Sequence, residues 1–214
     1  MNHAASTPVV HVVDDDDNFR MSIQGLLSAC GHAVRGYDSA EAYLAEAPTG
    51  HGCVLLDVNM PGLSGLELQA RLRAHGSGRP IIFLTGHGDI PMTVQALRAG
   101  AETVLTKPVS RNALLEAIAL ALRHDLVWQE QADKERELLA AFDRLTPREL
   151  EIFERVMAGL LNKQIAYETQ TAERTVKAHR SQIMHKLGTR SLPELTRLYD
   201  RYRELQARAR NPAP

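Results

Sequence analysis

The sequence is poor in cysteine, in aromatic residues and in long apolar runs, and these shortages exclude several classes of protein. Two cysteines, Cys30 and Cys53, are too few for a disulfide framework, so we expect a reduced protein of the cytoplasm. No apolar run approaches the roughly 18 residues of a membrane span, and residues 1–8 contain no apolar signal core. With 44% apolar and 24% charged residues among 214, the composition indicates one or two folded domains rather than a disordered chain.

Charge is distributed unevenly along the chain. Residues 1–123 contain 9 basic and 12 acidic side chains, residues 124–144 contain 3 and 6, and residues 145–214 contain 13 and 8. An acidic front and a basic back predict two domains with different partners. Residues 173–190 hold five Lys or Arg against one Glu, which suits a phosphate backbone. A solvated helix face would account for the same cluster.

Short apolar runs alternate with helical patterns in the first half of the chain. Apolar, often β-branched runs lie at 9–13, 33–37, 53–56, 81–84 and 103–106. The segments between them place apolar residues at helical spacing. This alternation predicts an α/β fold, in which a five-stranded parallel sheet carries helices on both faces.

Polar side chains follow the strands of this predicted sheet. Asp14 and Asp15 follow the first strand, Asp57 the third, Thr85 the fourth and Lys107 the fifth. Because the carboxyl ends of parallel strands share one edge, we expect these side chains to lie close together. Three carboxylates at one edge repel each other unless a cation joins them, and Mg²⁺ suits a few carboxylates and waters.

A carboxylate at this edge can also act as a nucleophile and form an aspartyl phosphate. The negative phosphoryl group then needs a metal, a cation such as Lys107 and a hydroxyl such as Thr85. Asp57 is the strongest candidate because it directly follows four apolar residues, where an unpartnered carboxylate is costly. For the acidic run 14–17 taken alone, helix capping is the simpler explanation.

Four motifs at the strand ends carry a resemblance to a known family. They are Val12–Asp15, Leu56–Gly62, Leu84–Asp89 and Leu105–Pro108. By these motifs residues 1–122 resemble a response-regulator receiver domain, which has a flavodoxin-like, doubly wound fold. The resemblance implies that a histidine kinase phosphorylates Asp57 and that Thr85 and Lys107 contact the phosphoryl group. It implies a Mg²⁺ site made of Asp14, Asp15, Asp57 and the backbone carbonyl of Asn59.

One position departs from the receiver pattern. Val104 stands where receivers usually carry Tyr or Phe, three residues before the lysine. We therefore expect activation through backbone and helix shifts rather than through an aromatic rotamer linked to Thr85.

Residues 123–144 are predicted to form a helical linker. No Gly or Pro interrupts the chain between Ser110 and Pro147, so one long helix or two nearly joined helices are expected. A solvated spacer and a coiled coil with a second chain fit the pattern equally well. Trp128 is expected to pack against the protein rather than to bind a ligand.

The basic part of the chain has the pattern of a small helical domain. Thr146, Pro147 and Glu149 have the spacing of a capping box that starts a helix. A later helix over 172–187 has one apolar side and one basic side with short residues, which suits the DNA major groove. A surface helix of a small bundle is the alternative.

Residues 145–207 resemble the FixJ/NarL (LuxR-type) helix-turn-helix domain, an all-α domain of four helices, and most closely its FixJ-like branch. The matching segments are Leu145–Glu149, Gly159, Asn162–Ala166, Arg174–His179, Lys186–Gly188 and Ser191–Leu195. The resemblance implies DNA contacts by Lys163, Arg174, Thr175, Lys177, Ala178, Arg180 and Ser181. It implies dimerisation through Leu195, Leu198, Tyr199 and Tyr202, for which burial against the bundle is the alternative. Residues 208–214 are expected to form a disordered tail.

Three residues in the predicted turn depart from this family. Thr169 and Thr171 replace apolar residues, and Ala172 replaces the usual Ser cap. We expect Thr171 to cap the following helix instead, with a turn that is less stable by about 1 kcal/mol for each lost cap.

Together these features predict a DNA-binding transcription regulator controlled by phosphorylation, and not a turnover enzyme. The expected partners are a sensor histidine kinase, double-stranded promoter DNA, a second copy of the chain and RNA polymerase. One alternative is DNA binding that does not depend on phosphorylation, suggested by Val104. The other is a Mg²⁺-dependent phosphatase of the haloacid-dehalogenase type, which Asp15 and Asp17 resemble although a later acidic pair is missing.

Overall fold

Hydrogen-bond ladders join the five predicted strands into one parallel sheet. In the computed structural model, which describes residues 7–86 and 90–210, the strand order is β2-β1-β3-β4-β5. The strands are β1 (Val9–Val13), β2 (Ala33–Tyr37), β3 (Gly52–Asp57), β4 (Ile81–Thr85) and β5 (Thr103–Thr106). The α/β prediction is confirmed. Strands β1 and β3 lie side by side within the sheet.

Five helices flank or follow these strands. They are α1 (Asp17–Ala29), α2 (Ala40–Glu46), α3 (Gly65–Ala74), α4 (Ile90–Arg98) and α5 (Arg111–Asp143). The chain divides into two compact units, residues 1–130 and 131–214, so α5 contributes to both. The predicted linker is one continuous helix. Across the described ranges no helix is both long and apolar enough to cross a membrane.

Two apolar layers enclose the sheet. On one face Val10 and Val12 pack with Leu27 of α1 and Ile118 of α5, all of them fully buried. On the other face Leu56, Phe83 and Leu68 form a separate buried layer with α3 and α4. Because helices cover both faces, β3 and β4 are buried along their whole length. Each such side chain contributes about 1.5–3 kcal/mol of burial free energy, which holds the strand ends in fixed places.

Gly65 allows α3 to begin directly against the end of β3. A Cβ added at Gly65 would lie 2.2 Å from the backbone oxygen of Asp57, and the Gly65 N–H donates to the carbonyl of Val58 at 3.0 Å. Ser64 and Glu67 form a capping box at this helix start. The absence of a side chain at Gly65 therefore positions the loop that carries Asp57.

The second unit is helical. It contains α6 (Pro147–Met157), α7 (Asn162–Glu168), α8 (Glu173–Lys186) and α9 (Leu192–Arg210). Its core is formed by Phe142, Phe153, Ile165, Val176 and Ile183. The predicted capping box at Thr146 and Glu149 is present. Helix α9 continues three residues into the predicted tail, of which residues 211–214 lie outside the described part of the chain.

The turn between α7 and α8 differs from the prediction. Ala172 is the N-cap of α8 and no side chain caps this end, so the expectation that Thr171 caps the helix is wrong. Thr169 is buried, and its hydroxyl donates to the carbonyl of Ile165 at 2.7 Å. Its polar group is thus satisfied locally, which explains how Thr fits at a position that is usually apolar.

Candidate functional site

Two carboxylates and one ammonium group meet at the carboxyl edge of the sheet. The Nζ atom of Lys107 lies 2.7 Å from Oδ2 of Asp14 and 2.7 Å from Oδ1 of Asp57. Asp14 and Asp57 are 0% and 6% exposed. The sheet order places β1 beside β3, and this brings together two carboxylates that are far apart in sequence. Since two buried carboxylates repel each other, the positive charge of Lys107 between them offsets that repulsion.

Backbone groups fix the orientation of this triad. Asp57 Oδ2 accepts a hydrogen bond from the N–H of Asn59 at 2.9 Å, and Asp14 Oδ1 accepts one from the N–H of Asp16 at 3.0 Å. The N–H of Lys107 donates to the carbonyl of Thr85 at 2.7 Å, and the Lys107–Pro108 peptide is cis. The Lys107 side chain approaches from β5, so three strands contribute to one small site.

The surroundings shift the pKa values of Asp57 and Lys107. Burial raises the pKa of Asp57, while the hydrogen bond from Lys107 opposes that rise. Burial acts to lower the pKa of Lys107, but its hydrogen bonds to Asp14 and Asp57 outweigh burial and raise the pKa. Lys107 therefore stays protonated, and it counters the charge of both carboxylates.

The other residues predicted for this site differ in their exposure. Thr85 is 1% exposed at the end of β4, next to Thr106 in the sheet register. Asp15 and Asn59 are exposed. Among residues 7–86 and 90–210, no three His, Cys, Asp or Glu side chains are grouped as a metal site. The structure thus brings Asp14 and Asp57 together but does not gather Asp15 with them into a three-carboxylate cluster.

The acidic residues of the run 14–17 have different roles. The side chain of Asp16 accepts hydrogen bonds from the N–H groups of Asn18 and Phe19 and caps α1. Asp17 pairs with Arg20 on the surface of the same helix. The capping explanation is therefore correct for Asp16, whereas Asp14 faces the site.

The donor set of this edge fits Mg²⁺ by its chemistry. Mg²⁺ is typically held by one or two carboxylates and several waters, and not by a complete protein cage. Asp14 and Asp57 each present an oxygen within 2.7 Å of the same nitrogen, so both oxygens face one point. Exposed Asp15 and Asn59 lie beside them in the sequence, on the solvent side.

A second candidate site lies on α8. Val176 and Ile183 are 0% and 2% exposed and fix the face of α8 that packs inward. Of the residues predicted to contact DNA, those exposed are Lys163, Arg174, Lys177, Ala178 and Ser181, and those half-buried are Thr175 and Arg180. The predicted DNA face is therefore mostly open to solvent, as major-groove binding requires.

Arg180 differs from the other residues on this face. Its Nη1 donates to Oδ1 of Asn162 at 2.6 Å, which links α8 to the start of α7. The two residues line an open surface groove together with Lys177, Ser181 and His185. The guanidinium thus has an internal partner that the sequence did not indicate.

Lys186 was missed as a structural residue of this unit. Its Nζ lies 2.6 Å from Oε2 of Glu149, which is 2% exposed, so the end of α8 is joined to the start of α6. Burial acts to raise the pKa of Glu149, but hydrogen bonds from Lys186 and Thr146 outweigh it and lower the pKa. The capping box could be predicted from local spacing. The contact between Glu149 and Lys186 joins residues 37 positions apart on different helices and leaves no local signal in the sequence.

The residues predicted for dimerisation are partly occupied within the unit. Leu195 is 3% exposed. The ring of Tyr202 stacks on Phe142 at 3.9 Å between centroids, and Tyr199 meets Phe153 edge to face at 4.9 Å. These contacts favour burial against the bundle for Leu195 and for one side of each tyrosine ring.

Comparison with known proteins assigns both halves of the chain. A model described as the response regulator receiver domain matches residues 10–119, and a model of the luxR family of bacterial regulatory proteins matches residues 143–199. The transcriptional regulatory protein FixJ of Azorhizobium caulinodans is 41% identical over 190 residues, which cover 88% of this chain and 90% of that protein. The response regulator protein TmoT of Ectopseudomonas mendocina is 40% identical and covers 92% and 90%.

Solved structures agree with these relatives. The response regulator StyR superposes with a TM-score of 0.81 at 44% identity, covering 92% of this chain and 100% of that one. Full-length FixJ from B. japonicum superposes with a TM-score of 0.56 at 38% identity, covering 92% and 98%. Both similarities extend over the two units.

Proposed function

Because this chain belongs to the response regulators that join a receiver domain to a LuxR-type DNA-binding domain, it is a DNA-binding transcription regulator controlled by phosphorylation, and we propose that Asp57 is its phosphoacceptor. The observation that carries this proposal is the position of Lys107 between Asp14 and Asp57, 2.7 Å from each. Such a cation neutralises an incoming phosphoryl group at the same place where it now neutralises a carboxylate.

The proposed reaction transfers a phosphoryl group from a sensor histidine kinase. A carboxylate oxygen of Asp57 attacks phosphorus, the P–N bond to the kinase histidine breaks, and an acyl phosphate forms. Lys107 pairs with a phosphoryl oxygen, and the buried Thr85 hydroxyl donates to another. The backbone N–H of Asn59, now bonded to Asp57, steadies the loop during the transfer.

Mg²⁺ is the proposed cofactor of this step. Asp14, Asp15, Asp57 and the backbone carbonyl of Asn59 are the groups that would hold it. When bound, the ion neutralises negative charge on the phosphoryl oxygens and on the acidic residues. Asp14 is paired with Lys107 at 2.7 Å, so the chain's own cation would share the charge of the site with the metal.

The second unit is proposed to read promoter DNA through α8. Lys163, Arg174 and Arg180 would contact phosphates, while Thr175, Lys177, Ala178 and Ser181 would face the bases. Phosphorylation would favour a dimer in which Leu198 and the open sides of Tyr199 and Tyr202 lie near the partner copy, while Leu195 supports them from the core of the bundle. Two DNA half-sites would follow the symmetry of that dimer. RNA polymerase is a further proposed partner, and the cytoplasm is the proposed location.

The proposal is tested by phosphorylating the full chain with acetyl phosphate and Mg²⁺. The control is Asp38→Asn, which changes an exposed aspartate. Wild type and this control should each take up one phosphoryl group. Each should then bind more tightly to a genomic DNA fragment isolated beforehand by pull-down with this protein, as measured by fluorescence anisotropy. Asp57→Asn should do neither. If Asp57→Ala binds the fragment as tightly as phosphorylated wild type, DNA binding is independent of phosphorylation. If Asp57→Asn is still labelled, the phosphoacceptor lies elsewhere.

A further inference from the structure

A cavity of about 550 Å³ opens at the amino-terminal edge of the receiver sheet. The loops that form it precede β3 and β4, whereas Asp57 ends β3, so the cavity and the phosphoacceptor lie at opposite edges. Six of its lining residues matter here, namely Tyr43, Leu44, Gly50, Leu72, Arg79 and Trp128. Its volume falls within the range of small-molecule sites, about 300–1,000 Å³.

Arg79 places a buried positive charge in the wall of this cavity. The residue is 9% exposed, and its guanidinium donates to the Tyr43 hydroxyl at 2.8 Å and to the Gly50 carbonyl at 2.9 Å. Both acceptors are neutral. Over residues 7–86 and 90–210, no carboxylate oxygen pairs with Arg79 within 4.0 Å. A buried cation without a counter-charge is costly, so the wall favours an anion.

The buried acid at the same edge is already bound elsewhere. Asp125 is 1% exposed, and its Oδ2 accepts from the N–H of Gly52 at 2.9 Å and lies 3.4 Å from Nδ1 of His51. Asp125 therefore fixes the start of β3. Its Oδ1 has no hydrogen-bond partner among the described residues, and neither of its oxygens lies within 4.0 Å of Arg79. In the described part of the chain no carboxylate is thus in direct contact with the guanidinium.

The remaining walls are mostly apolar and aromatic, and their polar members are Thr49, His75, Ser77 and Gln129. Leu44 and Leu72 line one part, and the indole of Trp128 forms another. Trp128 lies directly on the backbone of Gly78, where an added Cβ would be 1.8 Å from the indole. This contact holds the ring in place while 41% of the residue stays exposed. The packing expected from the sequence thus leaves one side of the indole open to the cavity.

We propose that this cavity binds a small carboxylic acid with an aromatic body. The carboxylate pairs with the guanidinium of Arg79, and the ring lies between Trp128 and the two leucines. A planar carboxylate matches the planar guanidinium, and an aromatic ring matches an indole wall. Because Asp57 lies at the other edge, binding here is separate from phosphorylation.

Three probes separate the contributions of charge and ring. Benzoate has both, benzamide has the ring without the charge, and acetate has the charge without the ring. Each is titrated into the full chain by calorimetry and by the fluorescence of Trp128, which is the only tryptophan in the sequence. Benzoate should bind saturably, and benzamide and acetate should each bind about ten-fold more weakly or worse.

Four variants locate the binding site. Arg79→Met and Trp128→Leu should each weaken benzoate binding about ten-fold or more, measured by calorimetry. Arg123→Met, which removes an exposed guanidinium on α5, should bind benzoate like wild type. Asp57→Asn should also bind normally, so that failure of the phosphoacceptor proposal and failure of this one remain distinct. Circular dichroism verifies folding, and if Arg79→Met unfolds, Trp128→Leu decides the outcome.

Several results would overturn the proposal. One is the absence of saturable benzoate binding up to about 10 mM. Equal affinity for benzoate and benzamide would show that the carboxylate does not pair with Arg79. Unchanged binding in folded Arg79→Met or Trp128→Leu would place benzoate outside this cavity.

Discussion

At the scale of single residues, one lysine in each unit pairs with a buried carboxylate. Lys107 joins Asp14 and Asp57 in the receiver, and Lys186 pairs with Glu149 in the DNA-binding unit. In each case a buried carboxylate is tolerated because an ammonium group comes from a distant strand or helix. In the receiver these three groups form the proposed phosphorylation site, whereas in the second unit the Lys186–Glu149 pair stabilises the fold.

The lowered pKa of Glu149 predicts how the stability of the second unit changes at low pH. Its pKa is lowered in the folded state, because hydrogen bonds from Lys186 and Thr146 outweigh burial. Its stabilising contribution is therefore fully present above the ordinary glutamate pKa of about 4.3 and is lost as pH falls through the lower folded value. Glu149→Gln should flatten this acid-side loss, as measured by hydrogen exchange of α6 and α8 amides at several pH values.

The control for this prediction is Glu154→Gln on the same helix. Glu154 is exposed, so its replacement should leave the acid-side loss of stability as in wild type. An equally steep loss in Glu149→Gln would show that another group governs the acid response.

At the scale of elements, the start of α3 decides whether Asp57 is correctly placed. Gly65→Ala would put a Cβ 2.2 Å from the backbone oxygen of Asp57, and backbone cannot move aside as a flexible side chain can. We expect a loss of about 1–3 kcal/mol in unfolding free energy and slower labelling by acetyl phosphate. Urea unfolding followed by Trp128 fluorescence measures the first effect.

Gly25→Ala is the matched control. Gly25 lies inside α1 with open space around its missing side chain, so alanine should stabilise the receiver by about 0.5–1 kcal/mol through helix propensity. A Gly65→Ala protein as stable and as readily labelled as wild type would refute the close-approach explanation.

Helix α8 carries the prediction for DNA. Lys177 is exposed and only pairs loosely with Glu173, at 3.2 Å on the helix surface, so it is available to DNA. Lys177→Ala should weaken binding to the preferred DNA fragment by about 1–3 kcal/mol and relax the sequence preference at the contacted base pair, with little effect on stability. Arg208→Ala, an exposed charge near the end of α9, is the control. Unchanged affinity and unchanged sequence preference in Lys177→Ala would place this face away from DNA.

At the scale of the whole molecule, the sequence predicted what is local or periodic. The five strands, the capping box at Thr146 and the buried face of α8 follow from spacing and side-chain chemistry, and the structure confirms them. The place of Asp57 beside Asp14 was predicted because the carboxyl ends of parallel strands share one edge of the sheet. Contacts between distant elements were not predictable, because their partners are set only by packing. The Lys186–Glu149 pair, the Arg180–Asn162 link and the position of Arg79 in the cavity wall are examples.

Because the chain divides into two units, we can predict which of them Mg²⁺ stabilises against unfolding. If Asp14 and Asp57 hold Mg²⁺, the ion binds the folded receiver and not the unfolded chain, which stabilises that unit by about 2.7 kcal/mol at a hundred times the Kd. Mg²⁺ should therefore raise the midpoint of the transition seen by Trp128, and EDTA should reverse the shift. The amides of α6 to α9 should change less in hydrogen exchange, since their unit holds no proposed ligand. In Asp14→Asn the shift should shrink because one carboxylate ligand is lost, while in the exposed control Asp38→Asn it should remain. A shift of the same size in Asp14→Asn would mean that Mg²⁺ binds somewhere other than the edge where Lys107 joins the two acids.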